Sequence, residues 1–319
     1  MDRRSLILLN LDNRIPEFSL RRRQVDHLRA ILPGLGVEAV HSLDELLEKL
    51  PEAEYAATWR FPVSGFERAD RLKALFTPAA GHENVAIDPS GRVPTVYGSF
   101  HGRLMAESLL AMVLHFNRRI PRLKEDQRRH VWNPSTLAGA RSLAGQRVLI
   151  IGYGNIGRAC GGLLAKLGCR ITGVRRSPAP EPSTSPARPH GAPERVAAPA
   201  DLLAELPEAD HLVFVLPGGE ETEAIFTMDH FRAMKRGAFL YNLGRGNCYR
   251  EEDLRAALAE GIVAGAGLDV FAREPLPEAS PLWDLPNVLV MPHASAIFVE
   301  YMDLFVEELI GRLRALGIG

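Results

Sequence analysis

Three glycines at the G-x-G-x-x-G spacing are the residues whose chemistry is easiest to infer from this sequence. Gly152, Gly154 and Gly157 follow the apolar run 148–151 and open a helix-compatible segment, 155–167. In such a strand–turn–helix the first glycine permits the tight turn, the second lets a pyrophosphate approach the backbone, and the third lets the helix pack on the strand. Unpaired amides at the helix N-terminus then bind the anion. The spacing therefore predicts a dinucleotide site at this turn.

Three polar side chains lie after predicted strands in the same part of the chain. Arg245 is in the segment NLGRGN, Glu274 in FAREPL and His293 in MPHAS. An arginine can bind a carboxylate through two parallel hydrogen bonds, and a histidine can transfer a proton. Each also has a structural interpretation: an arginine bonded to loop carbonyls, a glutamate in a surface turn, a histidine in a core. Their shared position after strands, where open α/β sheets bind ligands, favours a catalytic site.

Composition and charge limit the classes of protein to consider. The chain has 319 residues, is 46% hydrophobic and carries a formal net charge of −1. This length suffices for two domains with their own cores. The near-neutral charge argues against a nucleic-acid partner, and no apolar run approaches the roughly 20 residues that cross a bilayer. Three cysteines without metal-like spacing indicate reduced thiols, a cytoplasmic location and no metal site.

The alternation of strand-like and helix-like segments predicts the fold class. In the first hundred residues, short apolar runs alternate with helical patterns, including helices at 43–50 and 68–74. The region from about 147 onward alternates in the same way. This pattern is typical of α/β domains with parallel sheets. We expect two Rossmann-like, doubly wound domains with a cleft between them. The segment 122–141 is interpreted as an irregular exposed arm, and the proline-rich segment 178–193 as a surface loop.

Several segments together resemble the D-2-hydroxyacid dehydrogenase family. They are MAESLLAMVL from Met105, GYGNIG from Gly152, LPGGEET from Leu216, NLGRG from Asn242, GLDVFAREPL from Gly267 and MPHAS from Met291. They occur in the order found in the family and extend over most of residues 75–300. The resemblance implies a dehydrogenase or 2-keto acid reductase, with residues 101–293 as the dinucleotide-binding domain and residues 1–100 plus 294–319 as the substrate domain.

The resemblance also assigns roles to individual residues. Arg245 would bind the substrate carboxylate and polarise the carbonyl, and His293 would be the acid/base that protonates the carbonyl oxygen. Glu274 would pair with His293, since a nearby carboxylate favours the imidazolium. The Ala80–Gly81 turn would hold the substrate carboxylate through its backbone. The cofactor site would include the glycine loop with Tyr153, Asn155 and Ile156, the residues Leu216, Pro217 and Thr222, and Asp269 near the nicotinamide.

One departure from the family pattern concerns the cofactor. NAD-using members commonly place an acidic residue at the end of the second Rossmann strand, where it binds the ribose hydroxyls. Here that position is Arg175, followed by Arg176 and Ser177. Two arginines and a hydroxyl would attract a 2′-phosphate, so we favour NADP(H) and keep NAD(H) as the alternative. These arginines could instead flank the adenine without selecting a cofactor.

The expected activity is therefore NADP(H)-dependent reduction of a small 2-keto acid, such as glyoxylate or hydroxypyruvate, to a D-2-hydroxy acid. The alternatives are an NAD-dependent dehydrogenase of other substrate range and a dinucleotide-sensing, corepressor-like binding protein. Retention of Arg245, Glu274 and His293 together favours an enzyme over the binding protein. The resemblance and the arm-like segment at 120–143 also predict a homodimer.

Overall fold

The computed structural model describes residues 5–177 and 193–318, and these form two compact units. The N-terminal unit comprises the described residues up to His101 together with those from Ile297 onward. The central unit is Gly102–Ala296. The assignment of substrate binding to one part of the chain and dinucleotide binding to the other stays a prediction.

The described residues contain the following strands: β1 (Leu6–Asn10), β2 (Gly36–Ala39), β3 (Tyr55–Thr58), β4 (Ala74–Thr77), β5 (Thr95–Tyr97), β6 (Arg147–Ile151), β7 (Arg170–Val174), β8 (Arg195–Ala197), β9 (His211–Phe214), β10 (Ala238–Asn242), β11 (Val263–Leu268) and β12 (Val288–Val290). The α-helices are α1 (Arg22–Ile31), α2 (Leu43–Lys49), α3 (His101–Asn117), α4 (Ile120–Arg128), α5 (Asn155–Lys166), α6 (Leu202–Glu205), α7 (Met228–Ala233), α8 (Glu251–Ala259) and α9 (Tyr301–Ala315). None of these helices combines the length and the apolar composition that a bilayer-spanning segment requires.

The N-terminal unit is built on a five-stranded parallel sheet in the order β2-β1-β3-β4-β5. Every residue of β3 and β4 is buried, as expected for central strands covered on both faces. The helix α2 begins where the sequence provides a cap: the Ser42 hydroxyl accepts a hydrogen bond from the Glu45 amide at 3.1 Å. Asp44 and Glu45 add negative charge at the helix N-terminus, which stabilises it further.

The central unit contains a seven-stranded parallel sheet in the order β12-β11-β10-β9-β6-β7-β8. The first strand of this unit, β6, therefore lies between β7 and β9, and the direction of winding reverses between β6 and β9. Ligands of open parallel sheets bind beyond the carboxyl ends of the strands at such a point. The predicted α/β class with two parallel sheets is confirmed.

Both faces of the seven-stranded sheet are buried. Leu149 and Ile151 of β6 belong to a cluster that includes residues of α7 and α8. Val148 and Ile150, which point to the other face, belong to a cluster with residues of α3 and α5. This explains why the central strands read as continuous apolar runs in the sequence. The three cysteines are buried and unpaired.

The helix predicted at 68–74 is wrong. The chain instead forms a 3₁₀-helix over Val63–Arg68, and β4 begins at Ala74. The Ala69 amide donates to the Phe66 carbonyl and the Leu72 amide to the Ala69 carbonyl, so each bond spans three residues. Phe66, Ala69 and Leu72 are buried. This i, i+3 spacing of buried residues resembles an α-helical pattern but is satisfied here by successive tight turns.

The arm predicted to be irregular at 122–141 is partly helical, because α4 extends to Arg128. None of the residues of α4 is buried, so the apolar periodicity that reveals a helix in a sequence is absent. The strand β8 and the helix α6 were also not predicted, and both are short. The predicted surface loop at 178–193 falls outside the described residues except for Pro193.

Asp210 connects several elements of the central unit through hydrogen bonds to its carboxylate. Its carboxylate accepts hydrogen bonds from Lys235 Nζ at 2.8 Å and from the Arg147 amide at 2.9 Å. Burial raises the pKa of the Asp210 carboxyl, but these hydrogen bonds outweigh burial and hold that pKa below its ordinary value of 3.8. A lowered pKa in the folded state means that ionised Asp210 stabilises the fold above pH 3.8, and that this contribution is lost at lower pH.

We expect Asp210→Asn to lower the free energy of unfolding by about 1–3 kcal/mol at pH 7, because the nearly buried side chain at this position loses its charge-assisted hydrogen bond with Lys235. Urea denaturation would measure the change. The difference between the two proteins should shrink as the pH falls below 3.8. Glu208→Gln is the control, since Glu208 forms an exposed ion pair with Arg147 and should change stability by less than about 1 kcal/mol. Equal effects of the two substitutions would contradict the role of Asp210.

Candidate active site

The turn after β6 has the geometry that the glycine spacing predicts. Gly152 has a φ of +96°, and a Cβ built on it would lie 2.3 Å from the Val215 carbonyl oxygen, so no side chain fits. The amides of Gly152 and Tyr153 both donate to the Val174 carbonyl, at 3.0 and 2.9 Å. The turn is therefore fixed against the ends of β7 and of the segment after β9.

The start of α5 fits the anionic part of a dinucleotide. Gly154 is the N-cap, and a Cβ built on it would meet nothing within 4 Å, so the space above its backbone is open. A Cβ on Gly157 would lie 2.4 Å from the Gly152 carbonyl oxygen, which shows how closely the helix packs on the turn. Asn155 and Ile156 form the first turn of α5, whose amides face an anion at a helix N-terminus.

Tyr153 is the residue of the glycine loop whose side chain packs into the core. Its side chain is buried, and a Cβ built on Gly173 would lie 2.3 Å from the Tyr153 ring. The ring thus packs over the glycine of β7, inside the core that α5 covers. Its amide already donates to the Val174 carbonyl. The side chain of Tyr153 is a core group, which the sequence pattern did not distinguish from a ligand contact.

The residues after β7 include the two arginines. The Arg175 amide donates to the Ala197 carbonyl of β8 at 3.2 Å, and the Arg175 side chain is partly exposed. Arg176 and Ser177 are exposed. Arg176 forms an ion pair with Glu221, which lies 45 residues further along the chain. The arrangement presents basic groups at the end of β7, with one carboxylate from another loop beside them.

The loop after β9 contains Leu216, Pro217 and Thr222. The Thr222 hydroxyl bonds to the carbonyls of Pro217 at 2.8 Å and Gly219 at 3.0 Å, so it closes the loop on itself. A Cβ built on Gly244 would lie 2.5 Å from the Leu216 carbonyl oxygen. This loop therefore contacts both the glycine turn after β6 and the Arg245 loop after β10.

Arg245 lies in a loop that two glycines and an asparagine hold in place. Asn242 Oδ1 accepts from the Gly244 amide at 3.0 Å, and Asn242 Nδ2 donates to the Arg245 carbonyl at 3.0 Å. A Cβ on Gly246 would lie 2.0 Å from the carbonyl carbon of Phe271. The half-buried guanidinium donates to the Gly244 carbonyl at 2.8 Å. Asn242 was not singled out as a site residue in the sequence, although it begins the segment NLGRG.

His293 and Glu274 are in direct contact. The distance from His293 Nδ1 to Glu274 Oε2 is 2.7 Å, and Glu274 Oε1 accepts from the Phe271 amide at 3.0 Å. The side chains are 49% and 35% exposed. His293 has a φ of +53°, and its amide donates to the Asp269 carbonyl at 2.8 Å. An imidazole whose Nδ1 faces a carboxylate keeps Nε2 available for proton transfer.

Asp269 is fully buried, and its carboxylate is bonded to the segment that follows His293. Oδ1 accepts from the Ala294 amide at 2.6 Å, and Oδ2 accepts from the Ser295 amide at 3.1 Å. Ser108 of α3 donates to the Ser295 carbonyl at 2.8 Å. These bonds fix the backbone on which His293 is carried. The sequence resemblance placed Asp269 beside a cofactor and provided no signal for Ser108.

The Ala80–Gly81 turn belongs to the N-terminal unit and follows β4. Ala80 is exposed and Gly81 partly so, and the Gly98 amide donates to the Ala79 carbonyl at 3.0 Å. Beside the turn, the His82 ring stacks on Tyr97 with 3.9 Å between ring centroids. Arg60, which follows β3, is exposed, and the next residue, Phe61, pairs with Val85 in an isolated bridge. Arg60 was not singled out as a site residue in the sequence.

This chain is similar to known proteins over most of its length. Residues 110–295, more than half of the chain, match the description "D-isomer specific 2-hydroxyacid dehydrogenase, NAD binding domain". A D-isomer-specific 2-hydroxyacid dehydrogenase from Xanthobacter autotrophicus Py2, solved with NADPH and MES, is 29% identical with a TM-score of 0.77. The match covers 98% of this chain and 95% of that chain.

Two further solved structures are similar over nearly their whole length. An NADPH-dependent glyoxylate/hydroxypyruvate reductase from Sinorhizobium meliloti, with NADP and sulfate, is 28% identical with a TM-score of 0.75, covering 99% and 96% of the two chains. A probable 2-hydroxyacid dehydrogenase from Rhizobium etli CFN 42, with NADP, HEPES and L(+)-tartaric acid, is 26% identical with a TM-score of 0.73, covering 98% and 95%. This chain belongs to the D-isomer-specific 2-hydroxyacid dehydrogenase family and is an NAD(P)-dependent oxidoreductase.

Proposed function

We propose that the protein reduces a small 2-keto acid, of the size of glyoxylate or hydroxypyruvate, to the D-2-hydroxy acid with NADPH. The observation that carries the proposal is the 2.7 Å contact between His293 Nδ1 and Glu274 Oε2 in the unit that contains the glycine turn. The similarity to an NADPH-dependent glyoxylate/hydroxypyruvate reductase supports the substrate size.

His293 is the proton donor in this proposal. When bound, reduced nicotinamide supplies the hydride. Glu274 accepts a hydrogen bond from His293 Nδ1 and orients the ring, so Nε2 is the nitrogen that delivers a proton to the carbonyl oxygen of the substrate. The Phe271 amide holds the other oxygen of Glu274, which fixes the orientation of the carboxylate and, through it, of the ring.

Arg245 binds the substrate carboxylate. Its guanidinium is half-buried, where a charge-assisted bidentate contact is stronger than in bulk water. The Asn242 bonds to the Gly244 amide and the Arg245 carbonyl hold the loop, so little order is lost when a substrate binds. The backbone of the Ala80–Gly81 turn is proposed as a substrate-binding element of the N-terminal unit.

The choice of NADP(H) is supported by Arg175, Arg176 and Ser177. These three residues follow β7, at the position where an acidic group would bind the ribose hydroxyls of NAD(H). Guanidinium groups and a hydroxyl suit a phosphate. Solved relatives with NADPH or NADP agree with this assignment.

A homodimer is proposed through the segment 120–143. Trp132 is 96% exposed, and Ile120 and Val131 are also exposed. Large apolar side chains exposed close together on one segment are typical of a surface that another protein covers. A second copy of this chain is the proposed occupant.

Replacing His293 tests the mechanism. We expect His293→Ala to reduce kcat with NADPH and glyoxylate or hydroxypyruvate by about 10²–10⁴-fold, because the proton donor is removed. The Kd of NADPH, measured by the fluorescence of the reduced nicotinamide, should stay within about twofold. Glu274→Gln should also lower kcat, but less than His293→Ala.

His27→Ala is the control for this experiment. His27 Nε2 lies 2.8 Å from Glu307 Oε1, so it forms a histidine–carboxylate pair of similar length on the surface of the N-terminal unit. Its removal should leave kcat unchanged. Turnover that survives His293→Ala would refute the mechanism. Cofactor binding by the unaltered protein without turnover of any 2-keto acid would favour the dinucleotide-sensing alternative.

Replacing Arg175 tests the cofactor. We expect Arg175→Asp to lower the ratio of kcat/KM for NADPH to that for NADH by at least about tenfold, because a charge-assisted hydrogen bond contributes roughly 1.5–3 kcal/mol and the new carboxylate repels the phosphate. Arg232→Asp, an equal change of charge at an exposed position of α7, should leave the ratio unchanged. An unchanged ratio in Arg175→Asp would remove Arg175 from the cofactor site.

Replacing Trp132 tests the dimer. If the segment 120–143 is the contact, Trp132→Ala should raise the dimer dissociation constant by at least about tenfold, as for a central aromatic residue of an interface. Sedimentation velocity over a series of concentrations would measure it. Trp283→Ala is the control, since Trp283 is 49% exposed but lies elsewhere in the central unit. A monomeric unaltered protein, or equal behaviour of both variants, would refute the proposal.

A further inference from the structure

The ion pair between Arg176 and Glu221 joins two loops of the proposed cofactor site. Arg176 follows β7, and Glu221 lies in the segment LPGGEET after β9. Both loops lie at the carboxyl edge of the sheet, on either side of the glycine turn. The side chains are 79% and 78% exposed. A basic group suited to a 2′-phosphate is thus already in contact with a carboxylate of the same chain.

The loop that carries Glu221 is held by its own hydrogen bonds. The Thr222 hydroxyl bonds to the carbonyls of Pro217 and Gly219, and Asn247 Nδ2 donates to the Gly219 carbonyl at 3.2 Å. The Ala224 amide donates to the Asn247 carbonyl at 2.8 Å. Because the loop backbone is fixed on both sides of Glu221, the carboxylate is kept within reach of Arg176.

We propose that Glu221 sets how strongly the protein discriminates NADPH from NADH, by competing with the 2′-phosphate for Arg176. The inference rests on the proposed use of Arg176 in binding NADP(H). The sequence predicted that Arg175, Arg176 and Ser177 alone select the cofactor. The ion pair adds Glu221 from a second loop, and Glu221 lowers the preference for NADPH that the arginines provide.

The electrostatics of the pair determine how large this effect is. An ion pair between two exposed side chains is weak, so a bound phosphate can displace Glu221. A phosphate monoester carries about −1.5 to −2 charges near pH 7, against −1 for the carboxylate, and therefore attracts Arg176 more strongly. Glu221 thus weakens the binding of NADPH without preventing it.

The same carboxylate acts differently on the unphosphorylated cofactor. Enzymes that prefer NAD(H) use an acidic side chain to accept hydrogen bonds from the ribose hydroxyls. The residues after β7 provide no such group here, because they are Arg175, Arg176 and Ser177. Glu221, held beside Arg176, supplies an acceptor from the neighbouring loop. It therefore brings the affinities for the two cofactors closer together.

Glu221→Gln tests the proposal by direct binding. We expect the Kd of NADPH, measured by nicotinamide fluorescence at low ionic strength, to fall by about two- to fivefold, which corresponds to the loss of one exposed ion pair. The Kd of NADH should stay the same or rise. Glu220→Gln is the matched control, because it removes the same charge one residue earlier in the same 3₁₀ turn. In this variant the ratio of the Kd of NADPH to the Kd of NADH should equal that of the unaltered protein. An unchanged ratio in Glu221→Gln, or an equal change in both variants, would overturn the proposal.

Arg176→Ala separates this proposal from the cofactor assignment on which it rests. If Arg176 binds the 2′-phosphate, Arg176→Ala should weaken the binding of NADPH and not that of NADH, and the effect of Glu221→Gln on the Kd of NADPH should disappear in the Arg176→Ala background. Weakened NADPH binding in Arg176→Ala with no effect of Glu221→Gln would refute only the competition. No effect of Arg176→Ala on NADPH would refute the assignment of Arg176 itself.

Discussion

The close approach of backbone segments at the carboxyl edge of the seven-stranded sheet determines the geometry of the central unit. A Cβ at Gly152 would strike the Val215 carbonyl, one at Gly244 would strike Leu216, and one at Gly246 would strike Phe271. The loops after β6, β9, β10 and β11 therefore pack directly on one another, and a side chain at any of these three glycines would push two loops apart. Because the loops support one another, a substitution at one contact changes the position of groups in the next.

The last loop of this series is held by charge instead of by a glycine contact. The buried carboxylate of Asp269 accepts hydrogen bonds from the Ala294 and Ser295 amides. A buried carboxylate without such partners would be costly, so the folded state strongly favours the arrangement that provides them. That arrangement places the backbone of His293, which has a positive φ, beside Glu274. Asp269 and Glu221 have different effects because their burial differs. The buried carboxylate of Asp269 fixes a loop, whereas the exposed carboxylate of Glu221 forms an ion pair that a bound phosphate is proposed to displace.

The fold was predictable wherever one strand or helix could be recognised from its own residues. The short apolar runs, the helical patterns and the glycine turn after β6 are local signals, and they led to the correct fold class. The failures occurred where that local signal was ambiguous or absent. Phe66, Ala69 and Leu72 have helical spacing but are buried by successive 3₁₀ turns, and α4 has no buried face at all.

The sequence by itself determined which chemical groups the protein has and where each follows a strand: the glycine turn, Arg245, Glu274, His293, and arginines where an acidic residue is common. These are properties of single segments and need no knowledge of what packs beside them. Tertiary structure alone decided the partners. Glu274 and His293 are 19 residues apart, and Arg176 and Glu221 are 45 apart. Such contacts depend on the order of strands in the sheet and on how closely neighbouring loops approach, which no local pattern specifies. The same packing buries the Tyr153 ring in the core and brings the Asp269 carboxylate into contact with the segment after His293.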